Sequence, residues 1–147
     1  GEVGESHMPE THLIPLLCKA ALDTGPGLTV FGQDYDTPDG TPIRDYIHVV
    51  DLAAAHVLAI ARLIEGGDSQ IFNVGTGEGA TVLQMIKAAE KLGYKVPYTV
   101  GPRRAGDPPS LVADSSKLKA VTGWKPLSSD LKTLIRDAML WQKAPLY

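Results

Sequence analysis

The segment LAAAHVLAIARLI, residues 52–64, is apolar on almost every side until Arg62. Its spacing predicts a helix that Asp51 opens and that Gly66 and Gly67 end. A helix that is apolar all round is typically buried, because its side chains gain free energy when they leave water. We therefore expect this helix to be buried against a sheet, which limits the chain to folds in which helices cover strands.

Short apolar or alternating runs lie between the helical patterns of the chain. The spacing predicts helices at 13–23, 52–64, 81–92, 115–122 and 129–142, and strands at 28–31, 43–49, 70–74 and 96–100. Thr81 and Gln84 have the spacing of a capping box at the start of one of these helices. The alternation predicts an α/β domain whose sheet is small, with three or four strands.

Length and composition exclude several classes of protein. The 147 residues suit one domain, residues 1–147, and the net charge of −3 argues against a nucleic-acid partner. A lone cysteine, Cys18, cannot form an intrachain disulfide, which suits a reducing, cytoplasmic location. The sequence contains no apolar run of membrane-spanning length, so a membrane partner is not expected.

The turn GTGEGA, residues 75–80, fits the glycine pattern of a dinucleotide-binding loop through Gly75, Gly77 and Ala80. That pattern also requires an acidic residue about 20 positions later, and residues 98–102 contain none. We therefore interpret the turn as a structural connection between a strand and a helix, and we expect no cofactor to bind there.

No catalytic group or metal site is predicted from the spacing of the remaining side chains. None of the five tyrosines has a lysine four residues later, so the Tyr-x-x-x-Lys pair of many nicotinamide-dependent sugar enzymes is not found. The histidines, at positions 7, 12, 48 and 56, include no pair with the i, i+4 spacing of a helical zinc site. His56 and Cys18 lie on apolar helical segments and are interpreted as packing residues.

Arginines and an acid near two loops indicate a site for an anion. Arg44, Arg103 and Arg104 offer planar donors that suit phosphate oxygens, Asp107 could accept hydrogen bonds from sugar hydroxyls, and Phe31 could stack on a base. The alternative is that Arg44 with Asp45, and Arg104 with Asp107, form surface ion pairs of little energy. Spacing alone favours this alternative.

The order of several motifs favours the anion site over the surface ion pairs. The chain contains PETHLIP at 9–15, LTVFG at 28–32, YDTPDGTPIRDYIHVVDLAAAH at 35–56, FNVGTGEGATV at 72–82 and GPRRAGDPPSLVADSSK at 101–117. In this order they resemble the UDP-glucose 4-epimerase family of extended short-chain dehydrogenases/reductases, over essentially the whole chain. DGTPIRDYIHVVDLA and RRAGD are the specific motifs, whereas GTGEGA alone would be weak.

The resemblance implies that the chain is the C-terminal, UDP-sugar-binding part of such an enzyme. In that family, NAD and the Ser and Tyr-x-x-x-Lys catalytic set belong to an upstream Rossmann half, which is absent here. The chain alone is therefore expected to hold no cofactor and no activity, whereas the intact enzyme would be an NAD-dependent homodimer acting on UDP-glucose and UDP-galactose. Exposed apolar surface is expected along LAAAHVLAI or the first helix, where the upstream half would pack.

The resemblance also implies roles for individual residues. Arg44 and Arg104 match the residues that hold the diphosphate, and Asp107 matches the acid that meets the ribose hydroxyls. Phe31 matches the residue beside the uracil, where Thr29 supplies backbone groups.

Three further positions are carried over in the same way. His12 and Leu13 match the pair whose backbone N–H groups meet the diphosphate. Leu111 matches a sugar-pocket position at which smaller residues go with N-acetylated sugars, so tolerance of UDP-GlcNAc is suggested. Arg103 receives no role.

Two other interpretations stay open. One is the corresponding part of another nucleotide-sugar enzyme, such as a dehydratase or a decarboxylase. The other is a stand-alone UDP-binding or interaction module without chemistry. The sequence upstream of this chain would distinguish them, because the catalytic sets of these proteins differ.

Overall fold

The computed structural model describes residues 4–146, so residues 1–3 and 147 of the predicted domain lie outside it. Its helices and strands alternate in an α/β arrangement, as the sequence predicted. In chain order they are α1 (Leu13–Ala21), β1 (Leu28–Phe31), β2 (Ile43–Arg44), α2 (Val49–Ile64), β3 (Ala80–Thr81), α3 (Val82–Lys91), β4 (Tyr98–Gly101), β5 (Ser110–Leu111), α4 (Ser116–Thr122) and α5 (Leu131–Lys143).

The strands of the described residues form two small sheets, where the sequence predicted one. Strands β1 and β4 pair in parallel, with Phe31 opposite Gly101. Strand β2 lies between β3, to which it is antiparallel, and β5, to which it is parallel. The predicted strand at 43–49 is reduced to Ile43–Arg44, and the two-residue strands β3 and β5 were not predicted. Strands this short carry no sequence period, because they are defined by their partners.

The main core lies where α1, α3 and α5 pack on one another and on β1. Its fully buried side chains recur at helical spacing and include Leu17, Met85, Ile86, Ile135 and Met139. Each such side chain contributes about 1.5–3 kcal/mol of burial free energy. The helices predicted at 13–23, 81–92 and 129–142 are confirmed, with ends that differ by a few residues.

Local hydrogen bonds explain where two of these helices begin. The Thr81 hydroxyl accepts a bond from the Gln84 N–H at 3.1 Å, and the Gln84 side chain accepts one from the Thr81 N–H at 2.8 Å. This reciprocal pair is the predicted capping box. Asp130 caps α5 by accepting a bond from the Thr133 N–H at 3.0 Å.

Helix α2 begins at Val49, two residues before the predicted opening at Asp51. His48 caps it, because its Nδ1 accepts a bond from the Val50 N–H at 3.1 Å. Asp51 instead joins α2 to the segment before α5. Its carboxylate accepts bonds from the N–H groups of Leu127 and Ser128, both at 2.9 Å, and it also accepts one from the hydroxyl of Ser129 at 2.5 Å.

The expected burial of helix 52–64 against a sheet is wrong for this structure. Within α2, which the structure describes completely, the buried residues are Asp51 and Ala55, whereas Val57 and Ile64 are 65% and 81% exposed. The reason is that α2 packs on α4 and on Trp124 rather than on a sheet. The predicted exposed apolar surface is thus confirmed along α2 but not along α1, which the main core buries. Across residues 4–146, no helix has both the length and the apolar character to cross a membrane.

The predicted strand at 70–74 is also wrong, since these residues pair with no strand in the described part of the chain. Their side chains nevertheless alternate as in a strand. Phe72 and Val74 pack against the cluster around Trp124, while Ile71 is 88% exposed. An apolar run becomes a strand only where another strand completes its hydrogen bonds.

Candidate functional site

Strand pairing brings two of the predicted site residues together. Arg44 on β2 lies opposite Leu111 on β5. The Arg44 guanidinium donates to the Asp107 carboxylate and, at 3.1 Å, to the Pro108 carbonyl. Both side chains of the Arg44–Asp107 pair are largely buried, at 22% and 26% exposure. The predicted Arg44–Asp45 and Arg104–Asp107 pairs are therefore replaced by Arg44–Asp107.

Arg104 lies over the aromatic ring of Phe31. Its guanidinium carbon is 4.2 Å from the ring centroid, which is a cation–π contact. Phe31 ends β1 beside Gly101 of β4, and a Cβ at Gly101 would lie 3.5 Å from the Phe31 ring. Because Arg104 is exposed, the contact is worth about 0.5–1 kcal/mol, so a planar ligand could replace the guanidinium on this face.

A tight turn links the two contacts. The Asp107 N–H donates to the Arg104 carbonyl at 3.2 Å, and Gly106 within the turn has a φ of 77°. That backbone conformation suits glycine and is strained for residues with a Cβ. The turn therefore fixes the spacing between the Arg44–Asp107 pair and the Arg104–Phe31 pair.

Arg103, for which no role was predicted, connects this loop to the loop after β1. Its Nε donates to Asp34 Oδ1 at 2.7 Å, and its guanidinium lies 4.2 Å from the centroid of the Tyr35 ring. A Cβ at Gly32 would come within 2.7 Å of the Arg103 side chain and within 2.5 Å of Tyr35. Glycine at position 32 is thus what lets the loops approach this closely.

The GTGEGA turn wraps around the carboxylate of Asp45. That carboxylate accepts bonds from the Thr76 N–H at 2.9 Å, the Thr76 hydroxyl at 2.6 Å, the Gly77 N–H at 3.0 Å and the Ala113 N–H at 3.2 Å. A Cβ at Gly75 would lie 2.5 Å from the same carboxylate. The Thr76 and Gly77 donors of the turn are therefore engaged by the protein itself, which supports its structural interpretation.

Asp45→Asn is expected to lower the free energy of unfolding at pH 7 by about 1.5–3 kcal/mol, because hydrogen bonds to a charged group are lost. Burial would raise the pKa of Asp45, but bonds from Thr76, Gly77 and Ala113 outweigh it and hold the pKa below its ordinary value. The native charge therefore stabilises the fold above about pH 4, and this stability is lost as the pH falls through the folded pKa.

Urea unfolding at pH 7 and at about pH 3 measures this difference, which should be smaller at the lower pH. Asp68→Asn, at an exposed position, is the matched control and should change little. An Asp45→Asn variant as stable as the wild type at pH 7 would contradict the assignment.

His12 and Leu13 lie at the start of α1, as predicted, but the His12 N–H is already engaged. It donates to Glu10 Oε1 at 2.7 Å, and Leu13 is half-buried against the main core. A diphosphate contact at the His12 N–H would require Glu10 to release it. The diphosphate role of this pair stays a prediction.

The loop before α1 also places four metal-ligating side chains together. One ligand atom from each of Glu5, His7, Glu10 and His12 lies within 4.8 Å of the others. Sequence reasoning missed this group because it considered helical spacing, whereas these residues lie in a loop. The signal that could have found it is the density of Glu and His within eight positions.

Two buried groups are poor candidates for chemistry at neutral pH. Burial raises the pKa of Tyr46 to about 12, although the charge of Arg44 opposes the shift. Burial also raises the pKa of the Cys18 thiol to about 12. Both groups therefore stay protonated and act in packing.

The fold and this site define an α/β domain whose paired loops bring together arginines, an acid and an aromatic ring. A family model described as the NAD dependent epimerase/dehydratase family matches residues 2–75, which is half of the chain. The chain belongs to this family.

Individual relatives agree with the family and confirm the resemblance seen in the motifs. A UDP-glucose 4-epimerase of Lactobacillus helveticus is 48% identical over 98% of this chain and 44% of that relative. The crystal structure of a Brucella ovis UDP-glucose 4-epimerase in complex with NAD is 49% identical, with a TM-score of 0.91 over 95% of this chain and 43% of that one. A Bifidobacterium longum UDP-glucose 4-epimerase in complex with NAD+ and UDP is 42% identical, with a TM-score of 0.79 over 90% and 39%. The chain thus spans less than half the length of these relatives.

Proposed function

We propose that residues 1–147 form the C-terminal, UDP-sugar-binding domain of an NAD-dependent UDP-glucose 4-epimerase, which interconverts UDP-glucose and UDP-galactose. The observation that carries the proposal is the continuous set of contacts from Arg44 through Asp107 and Arg104 to Phe31. It joins two cations, a carboxylate and an aromatic ring, which are the kinds of group that bind phosphates, a ribose and a base.

In this proposal Arg44 and Arg104 bind the diphosphate, and Asp107 accepts hydrogen bonds from the ribose hydroxyls. Uracil takes the place of the Arg104 guanidinium beside Phe31, close to the backbone of Thr29. The exchange costs little because the cation–π contact is exposed, whereas arginine–phosphate bonds are charge-assisted. His12 and Leu13 would add backbone donors once Glu10 releases the His12 N–H.

Leu111 lies opposite Arg44 and is 54% exposed, so its side chain can face a sugar beyond the diphosphate. A leucine is smaller than an aromatic residue and leaves room for an acyl group. We infer that UDP-GlcNAc is tolerated beside the unacetylated sugars.

The residues present do not fit NAD. The one turn with the dinucleotide pattern holds the Asp45 carboxylate, which would repel a pyrophosphate. We therefore place the cofactor, which accepts and returns the C4 hydride, in an N-terminal Rossmann half outside residues 1–147. This chain's contribution is binding energy remote from the reacting carbon, which holds the substrate in place.

The exposed face of α2 and the unpaired residues 70–74 support a packing partner. Val57, Ile60 and Ile64 are more than half exposed, and Ile71 lies on the outer side of a run whose backbone has no strand partner among residues 4–146. Such a surface is unusual on a monomeric domain. We infer that the Rossmann half covers it and that the intact enzyme is a cytoplasmic homodimer.

The isolated chain is expected to convert no UDP-glucose to UDP-galactose, even with NAD added, because its sequence contains no Tyr-x-x-x-Lys motif. The full-length protein should interconvert the two sugars. Chromatographic separation of the nucleotide sugars measures both. Epimerase activity in the pure isolated chain would contradict the assignment of NAD and the catalytic residues to the N-terminal half. Full-length protein without activity would contradict the proposed function.

One alternative has an observation in its favour, since the matching family model also covers dehydratases. A dehydratase or a decarboxylase would release a changed sugar rather than the C4 epimer, so the same chromatography separates these outcomes. A stand-alone UDP-binding module would lack an upstream glycine fingerprint and Tyr-x-x-x-Lys set in its gene.

A further inference from the structure

We propose that the loop before α1 is a binding site for a divalent transition-metal ion, best fitted by Zn²⁺, with Glu5, His7, Glu10 and His12 as ligands. Its ligands are side chains outside the arginine pairs, although the site shares His12, whose backbone N–H is a proposed diphosphate donor. Zinc binding can be tested without the proposed function. Its residues fall in a segment, 5–12, that contains four of the chain's Glu and His side chains.

The four side chains already converge. His12 Nδ1 lies 2.9 Å from Glu5 Oε1 and 3.0 Å from Glu10 Oε1, and His7 Nδ1 lies 3.8 Å from the same Glu10 oxygen. The two imidazole rings have centroids 5.0 Å apart. All four ligand atoms lie within 4.8 Å of one another.

These separations are close to those of a tetrahedral site. Zinc bonds to nitrogen and carboxylate oxygen are about 2.0–2.2 Å long, so ligand atoms around zinc lie about 3.4 Å apart. The pairs at 2.9, 3.0 and 3.8 Å bracket that value. Small side-chain movements would therefore complete the coordination.

The donor types favour zinc over the other common divalent ions. Two imidazoles with two carboxylates suit Zn²⁺, whereas Mg²⁺ and Ca²⁺ are bound by oxygen ligands. Two carboxylates also balance the charge of a divalent ion whose other ligands are neutral imidazoles.

Two of the ligands belong to residues whose backbone is held in place before any ion arrives. Glu10 is 7% exposed, and its carboxylate accepts bonds from the N–H groups of Thr11 at 2.8 Å and His12 at 2.7 Å. His12 immediately precedes α1, which the main core holds. Glu5 and His7 are 45% and 46% exposed, so an ion can enter from solvent.

Simple ion pairing accounts less well for the geometry. The single Nδ1 of His12 faces two carboxylates at almost equal distance, so its one N–H would have to be shared between them. Two carboxylates that share a neighbour also repel each other. A cation between them would satisfy both at once.

Equilibrium dialysis of the 147-residue chain against ZnCl₂, followed by elemental analysis, should give one zinc per chain. His7→Asn and His12→Asn should each weaken zinc binding by about 100-fold or more, since each removes a ligand and loss of an outer-shell partner alone costs about 10–100-fold. Asparagine is a good residue at the start of a helix, so His12→Asn should keep the fold, which circular dichroism checks. His56→Asn is the matched control, because His56 lies on α2 with its Nδ1 near the Leu52 carbonyl.

X-ray absorption at the zinc edge adds an independent measurement. The expected spectrum contains nitrogen and oxygen neighbours with imidazole scattering and no sulfur, because Cys18 is fully buried. The proposal is overturned if no zinc is retained at 100 µM ZnCl₂ (about a hundredfold above a micromolar Kd), if His12→Asn binds as tightly as wild type, if His56→Asn weakens binding equally, or if sulfur appears in the spectrum.

Discussion

Trp124→Ala is expected to lower the free energy of unfolding of the chain by about 3–5 kcal/mol. Trp124 is 1% exposed, packs with Ala55 and Leu118, and donates its Nε1–H to the Asp51 carbonyl at 2.9 Å. The cluster around Trp124 is small, so few neighbours can move in to fill the cavity. A loss of this size is a large fraction of the stability of an ordinary domain.

Urea unfolding followed by circular dichroism measures the effect, and the fluorescence of Trp141 gives a second probe. Trp124→Phe should lower the free energy of unfolding by less than Trp124→Ala does. Phenylalanine loses the hydrogen bond but retains most of the apolar volume. Leu127→Ala is the control, since Leu127 is 85% exposed and its loss should change the stability by less than about 0.5 kcal/mol. If Trp124→Ala is no worse than this control, Trp124 does not hold α2 to α4.

Arg104→Glu in the full-length protein is expected to weaken UDP binding by about 2–5 kcal/mol, because a charge-assisted contact is replaced by repulsion. Arg104 suits the test because it is exposed and its side-chain contact is with Phe31, so the fold should tolerate the change. Calorimetry with UDP measures the affinity. Lys95→Glu, an exposed charge reversal before β4, should leave it unchanged.

Arg44→Gln tests the other proposed diphosphate residue. Glutamine is preferred to glutamate because a carboxylate at this position would face Asp107. Weakened UDP binding in both the Arg104→Glu and the Arg44→Gln variants supports the proposal that these arginines bind the diphosphate. Unchanged affinity in both would return these arginines to a purely structural role, with Arg44 holding Asp107 and Arg104 covering Phe31.

Helices whose buried residues recur at helical spacing along the chain could be predicted from the sequence. Helices α1, α3 and α5 follow from apolar spacing, and the Thr81–Gln84 capping box follows from two residues three positions apart. The candidate site was predicted only through the resemblance, because spacing alone favoured the wrong ion pairs. Asp107 is 63 residues from Arg44 along the chain, and nothing local indicates that they meet.

The sequence by itself determined the helices, the Thr81–Gln84 capping box and the α/β class, because these depend on side chains within a few residues of one another. The tertiary structure decided the rest. Residues 70–74 carry a strand pattern, but a strand exists only where another strand completes its hydrogen bonds, and none among residues 4–146 does so. The exposure of α2 and the Arg44–Asp107 pair likewise depend on which distant segments the fold brings together.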